Sequence, residues 1–286
     1  MIAALQKYSR LVALPHTVFA LPFALGAAAL GWKHAAQPFT AARLAWIVIA
    51  CAAARNAAMA FNRFADRRFD ARNPRTAGRE LPSGAVSPRA ALALTAASSA
   101  LFLAAAAVLG RWPLYLAPLA LAIVLGYSLA KRFTWATHFW LGVALGGAPA
   151  GAWLAAAGSF GAAPLALSLA VACWVAGFDL IYSCQDRAFD RGARLGSVPA
   201  RFGVARALRV SAALHVAAVA GLIAFGAILH LGAVYAIGTL AIAGTLVYEH
   251  RLVSPGDLSR VDRAFFDLNG WVSLLFGACA VIEALR

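Results

Sequence analysis

Windows of about 20 residues pick out nine apolar stretches, near 11–32, 44–61, 90–109, 114–130, 139–157, 164–185, 208–229, 233–249 and 265–285. In lipid, a segment of that length must pair every backbone N–H and C=O within itself, so each stretch is expected as a helix. Hydrophobic residues make up 63% of the chain and charged residues only 13%. A soluble domain could not cover so much apolar surface with so little charge. The fold class expected is all-α: a polytopic membrane helical bundle of about nine transmembrane helices around a central cavity. The first stretch is too long for a signal-peptide core and reads as a retained span.

Basic residues orient the bundle. With the N-terminus in the cytoplasm, the inner segments hold Lys7 and Arg10, then Arg63, Arg67, Arg68, Arg72, Arg75, Arg79 and Arg89. They also hold Lys131 and Arg132, then Arg187, Arg191, Arg194, Arg201, Arg206 and Arg209, and finally Arg251, Arg260 and Arg263. The opposite side holds only Lys33, Arg43, Arg111 and Arg286, while Arg55 falls inside the second span. This asymmetry follows the positive-inside rule. The formal net charge of +14 is therefore a topology signal, and no nucleic-acid partner is expected. A multi-pass protein of a bacterial inner membrane is the expectation, with the alanine- and arginine-rich usage pointing to a GC-rich genome. Cys51, Cys173, Cys184 and Cys279 lie far apart, mostly inside apolar runs, and read as packing residues.

The acids do something solvation does not require. Among the 11 acidic residues, only Glu283 falls away from the cytoplasmic half. The pentapeptide Asp66-Arg67-Arg68-Phe69-Asp70 recurs as Asp186-Arg187-Ala188-Phe189-Asp190, each copy where an apolar helix meets a basic loop. Ionisable groups in such places are functional candidates. Asn62 and Asp66 are one helical turn apart, and Asp70 continues the stripe. On a straight helix, Asp179, Asp186 and Asp190 return to within roughly 20° of one direction. Carboxylate and amide oxygens suit Mg²⁺, which bridges protein carboxylates to phosphate oxygens. Two such clusters suggest two divalent cations holding a polyphosphate.

The basic candidates for that polyphosphate are Arg55, Arg75, Arg79, Lys131 and Arg132, because arginine forks match phosphate oxygens. The loops after the acids, 63–89 and 186–207, are long for helix connections, which suggests work beyond linking spans. His16, His138, His215 and His230 read mainly as packing groups. Gly142, Gly146, Gly147 and Gly151 are spaced for close helix contact, and Pro149 as a kink. Tyr182, one turn before Asp186, reads as a cavity or packing residue.

These motifs resemble the UbiA superfamily of intramembrane prenyltransferases. That family's first signature, Asn-Asp-x-x-Asp-x-x-x-Asp, is similar to Asn62-Arg63-Phe64-Ala65-Asp66-Arg67-Arg68-Phe69-Asp70, with Arg63 in place of the second acid. Its Asp-x-x-x-Asp matches Asp186 and Asp190. The runs 72–84 (Arg-Asn-Pro-Arg-Thr-Ala-Gly-Arg-Glu-Leu-Pro-Ser-Gly) and 127–134 (Tyr-Ser-Leu-Ala-Lys-Arg-Phe-Thr) also look like the family, in a 4-hydroxybenzoate polyprenyltransferase-like subgroup. The likeness covers nearly the whole chain, so residues 1–286 are expected as one domain. By the resemblance, Asn62, Asp66, Asp70, Asp179, Asp186 and Asp190 bind Mg²⁺, with Asp66, Asp70, Asp186 and Asp190 catalytic. The five basic residues would neutralise the diphosphate of a polyprenyl donor. The acceptor would be an aromatic acid, either 4-hydroxybenzoate-like, for respiratory quinone biosynthesis, or a naphthoate of the futalosine route to menaquinone. A transporter or flippase for an anionic lipid is the alternative from another class, though it does not require metal-spaced acids. A CDP-alcohol phosphotransferase would need an Asp-Gly-x-x-Ala-Arg element, which the chain lacks.

Overall fold

The computed structural model describes Leu11, residues 17–35 and residues 40–286. Lys7, Arg10 and His16 lie outside the described residues. Every expected span has a helix: α1 (Thr17–Lys33), α2 (Ala41–Asp70), α3 (Pro88–Leu109), α4 (Arg111–Ala130) and α5 (Thr137–Ala157) come first. They are followed by α6 (Ala162–Ser183), the short α7 (Arg187–Gly192) and α8 (Val198–Phe202), then α9 (Val204–Ile228), α10 (Ala233–Arg251) and α11 (Val261–Leu285). Among the described residues, seven of these are long and apolar enough to cross a membrane, namely α2 to α6, α9 and α11. The apolar part of α1, Phe19–Lys33, is shorter. The 19-residue α10 ends in Glu249, His250 and Arg251, which cuts its apolar run. No strand occurs among the described residues, as backbone self-pairing in lipid demands.

The chain divides into two compact units, residues 1–17 with 45–129, and residues 18–44 with 130–286. The first contains most of α2 with α3 and α4. Its α3 starts in a standard way: the Ser87 hydroxyl accepts from Ala90 N–H at 3.2 Å and Pro88 supplies the first helical residue. The segment between α2 and α3 is a folded series of turns. Leu81 and Val86 are buried with Leu11 and Ala91, packed against Phe64 and Leu94. Burying them anchors the segment to the end of α2.

In the second unit α6 is the most buried span and packs on α5 and α9. Close approach is built in. A Cβ on Gly142 would collide with the Ala172 carbonyl, and one on Gly146 would lie 2.6 Å from the Ser168 carbonyl. Helices without a water-driven apolar attraction associate through such small-residue contacts. Gly147 and Gly151 face open space and are not contact residues. An aromatic cluster fills the core: Phe23 stacks on Phe276 at 4.4 Å and lies 5.0 Å from Trp174, while Phe19 and Phe178 both meet Phe265 edge-on. Tyr182 stacks on Phe265 at 4.1 Å.

One irregularity stands out in this unit. A single π-turn, Ala264–Leu268, interrupts α11. It displaces carbonyls that the side chain of Asn269 then satisfies, donating to Ala264 O at 3.0 Å and Phe265 O at 3.2 Å. The same amide donates to Glu249 Oε1 at 2.9 Å and accepts from Trp174 Nε1 at 2.7 Å. Asn269 and Glu249 are both fully buried.

Candidate functional site

The first acid cluster belongs to the first unit. At 1.5 Å per residue, the 30 residues of α2 extend about 45 Å, well beyond a hydrocarbon core of about 30 Å. Asn62, Asp66 and Asp70 occupy the last turns of that helix. The expected loop at 63–89 therefore starts only after Asp70, because the helix continues past its apolar part. Asn62 Nδ2 donates to Asp66 Oδ2 at 3.1 Å, so the two oxygen-bearing side chains do share a face. Asp70 is buried, and its Oδ1 accepts from Arg79 Nη1 at 2.8 Å. Its other oxygen, Oδ2, is buried with no hydrogen-bond partner.

The turns after α2 set that geometry. The Thr76 hydroxyl donates to Asp70 O at 3.1 Å, and the Asn73 side chain accepts from Arg75 N–H at 3.0 Å. These bonds carry the chain back so that Arg79, nine residues on, reaches Asp70. Arg67 of the repeat is directed elsewhere: it donates to Phe64 O at 2.7 Å and lies 4.3 Å over the Phe64 ring. Arg55 is half-buried two turns before Asn62, and Arg75 is exposed.

The second cluster belongs to the second unit, and there the helix is not straight. Helix α6 stops at Ser183 and is followed by a 3₁₀ turn, Cys184–Asp186, before α7. Three residues at 120° rather than 100° rotate the downstream residues by about 60°. That places Asp186 about 40° and Asp190 about 80° from the direction of Asp179. Asp179 Oδ2 lies 2.6 Å from His138 Nδ1, at the start of α5. His138 Nε2 accepts from Val198 N–H at 3.3 Å, so the ring hydrogen is on Nδ1 and is donated to the carboxylate. His138 is fully buried and ties α5, α6 and α8 together, a larger task than general packing. Asp190 is nearly inaccessible, faces Lys131 Nζ at 3.4 Å and is hydrogen-bonded by the Ser197 hydroxyl. Gly196 N–H donates to Lys131 O at 2.6 Å, so backbone and side chain both join the 131–136 and 190–197 segments.

Each repeat thus presents its final acid to a cation, Asp70 to Arg79 and Asp190 to Lys131. Arg132 is exposed beside Lys131. Within either unit, among the described residues, no three His, Cys, Asp or Glu side chains stand ready to hold a metal. Mg²⁺ needs no such cage, since it uses one or two carboxylates and completes its shell with water and phosphate oxygens. The buried, unpaired Oδ2 of Asp70, one turn beyond Asn62 and Asp66, fits a hard cation.

Ser197 and the particular partner of Asp179 were not singled out by sequence reasoning. The local signal for Ser197 is its place before Val198-Pro199, where it caps α8 by accepting from Ala200 N–H at 3.3 Å. His138→Ala is expected to lower stability by about 2–3 kcal/mol, because it leaves the Asp179 carboxylate and Val198 N–H unpartnered and opens a cavity. Thermal melting in detergent checks this, and a melting point equal to wild type would refute the tie.

A family model described as the UbiA prenyltransferase family matches residues 20–273. A 4-hydroxybenzoate octaprenyltransferase of Pectobacterium atrosepticum is 32% identical over 149 residues, covering 52% of each chain. The chain thus spans about half the length of the curated relatives it matches. The apo structure of a UbiA homolog from Aeropyrum pernix K1 superposes with a TM-score of 0.84 at 41% identity, covering 94% of this chain and 98% of that one. A UbiA homolog from Archaeoglobus fulgidus bound to DMAPP and Mg²⁺ gives a TM-score of 0.78 at 21% identity, covering 98% of this chain and 99% of that one. At that identity the likeness concerns the fold alone.

Proposed function

Because the chain belongs to the UbiA prenyltransferase family, we propose that it transfers a polyprenyl group from a polyprenyl diphosphate to an aromatic acid of the 4-hydroxybenzoate type. Residues 1–286 act as one membrane domain, and the acid clusters serve in binding the diphosphate. The observation that carries this reading is the repeated acid pentapeptide, each copy ending in a carboxylate held by a cation, with Asp70 Oδ2 buried and unpaired. The Archaeoglobus homolog bound to DMAPP and Mg²⁺ supports the donor class, and the Pectobacterium relative supports the acceptor class.

Asn62, Asp66, Asp70, Asp179, Asp186 and Asp190 would hold Mg²⁺, directly or through water. Bound Mg²⁺ neutralises the diphosphate and stabilises the charge that grows on it as it leaves. Arg79 and Lys131 turn from their carboxylates to diphosphate oxygens, aided by Arg55, Arg75 and Arg132. The C1–O bond of the donor breaks with its electron pair going to the diphosphate. The allylic cation left behind is kept from water by apolar side chains. A ring carbon of the acceptor attacks C1, and the ring proton is lost to water. The N-terminus and the acid-bearing segments lie on the cytoplasmic side of a bacterial inner membrane, in keeping with the distribution of basic residues.

A screen with labelled polyprenyl diphosphate tests this, comparing 4-hydroxybenzoate with dihydroxynaphthoates, with and without Mg²⁺. The expected result is Mg²⁺-dependent release of diphosphate with prenylation of 4-hydroxybenzoate. Prenylation of the naphthoate alone would move the acceptor to the menaquinone route. Passage of an anionic lipid across vesicles with no diphosphate release would replace the enzyme reading with a transporter.

A further inference from the structure

The run Gly196-Ser197-Val198 makes three bonds to three different partners within the second unit. Gly196 N–H donates to Lys131 O at 2.6 Å. The Ser197 side chain is hydrogen-bonded to the Asp190 carboxyl. Val198 N–H donates to His138 Nε2 at 3.3 Å, and His138 Nδ1 lies 2.6 Å from Asp179 Oδ2. Ser197 and His138 are fully buried and Val198 nearly so. We propose that Ser197 and His138 are positioning residues, joined through this run into one strut that aims the Asp179 and Asp190 carboxylates at a divalent cation. The inference rests on the metal reading of those two acids given above.

Every polar atom of the strut has a single role. Ser197 Oγ accepts from Ala200 N–H at 3.3 Å, which leaves its hydrogen for Asp190. His138 Nε2 accepts, so only Nδ1 can donate. Each acid thus receives a neutral donor that cannot turn without breaking a second bond. A carboxylate held in this way keeps its negative charge and gives up less freedom when a cation arrives. Outer partners of this kind contribute about 10- to 100-fold in metal affinity.

The run itself has little room to move. A Cβ on Gly196 would collide with the Thr134 carbonyl. Leu195 N–H donates to Asp190 O at 2.8 Å, and Arg194 before it sits at φ 55, in the left-handed region that L residues rarely adopt. Pro199 fixes the backbone at the start of α8. A displacement of Ser197 must therefore carry Val198, and with it His138. The 3₁₀ turn at Cys184–Asp186 interrupts the helical relation between Asp179 and Asp190, and the strut supplies a fixed relation from outside the helix. A purely mechanical tie between α5, α6 and α8 could be apolar, without the cost of burying polar side chains that need a full set of partners.

The test uses the purified full chain in detergent, with Mn²⁺ alone as the paramagnetic stand-in for Mg²⁺ and bound ion read by electron paramagnetic resonance. Ser197→Ala is expected to weaken Mn²⁺ binding about 10-fold, and Ser197→Thr, which keeps the hydroxyl, to restore most of it. In His138→Asn the amide nitrogen takes the place of Nδ1 and still donates to Asp179, but nothing accepts from Val198 N–H. This variant is expected to weaken Mn²⁺ binding by a similar factor. The double Ser197→Ala/His138→Asn variant is expected to lose little more than either single one, because both cut the same strut. Melting curves establish that each variant is folded. Wild-type Mn²⁺ affinity in folded Ser197→Ala and His138→Asn would overturn the positioning role and leave the metal reading standing. Losses that multiply in the double variant would overturn the strut. Absence of Mn²⁺ binding in wild type would remove the metal reading and this inference with it.

Discussion

Asp66→Ala and Asp186→Ala are each expected to lower Mg²⁺-dependent prenyl transfer by about 10³-fold or more, which corresponds to about 4 kcal/mol of transition-state stabilisation. The two residues open the two copies of the repeat, and in the proposed reaction each would supply carboxylate oxygens where a departing diphosphate accumulates charge. Removing either leaves that charge against a site with fewer compensating groups. Neither substitution removes a large apolar group or the ion pairs at Asp70 and Asp190, so melting in detergent should stay near wild type. Asp66→Asn keeps one oxygen and should retain more activity, with the Mg²⁺ requirement moved to higher concentration. Chelation of Mg²⁺ should abolish wild-type turnover and be reversed by adding the ion back. Steady-state release of inorganic diphosphate measures all of these. Normal turnover in a purified, folded Asp66→Ala or Asp186→Ala protein would remove the acids from the chemistry.

Asn269→Ala is the substitution expected to cost most stability. Its side chain makes four hydrogen bonds, to Trp174 Nε1, Glu249 Oε1 and the carbonyls of Ala264 and Phe265. Alanine leaves all four groups buried and the π-turn of α11 without its side-chain clasp. Single hydrogen bonds in membrane proteins contribute little, because the unfolded chain in lipid finds other partners. A hub of four is different, since one residue satisfies groups on three separate helices at once. The loss is expected to be about 3–4 kcal/mol, or on the order of 5–10 °C in melting temperature. Asn269→Asp tests the donors separately: it keeps an acceptor for Trp174 but sets a second carboxyl beside Glu249, and should be at least as damaging. A melting point within a degree of wild type for the alanine variant would show that the network contributes little to stability.

The helices and their order were legible in the sequence because both causes are local. A run of about 20 apolar residues must be helical in lipid whatever its neighbours are, and each expected span is matched by a helix from α1 to α11. The candidate acids were legible too, since Asn62 and Asp66 are a turn apart and a turn's spacing suffices to place them together. Local reasoning did not reach the change of local geometry. The 3₁₀ turn at Cys184–Asp186 shifts the phase between Asp179 and the pair Asp186 and Asp190, and no spacing in the sequence announces it.

What the sequence by itself determined is the all-helical membrane fold and the identity of the acids that mark its candidate site. The three-dimensional packing alone decided which partner each of those acids received. Asp179 takes His138 from 41 residues away, Asp190 takes Lys131 from 59 away, and Trp174 reaches Asn269 across 95. The same packing gathered five separated cations around one cavity and left Asp70 Oδ2 buried without a donor. The physical reason is range: backbone pairing and helical phase act over a few residues, whereas a buried polar group is satisfied by whatever the packed helices bring within about 3 Å of it.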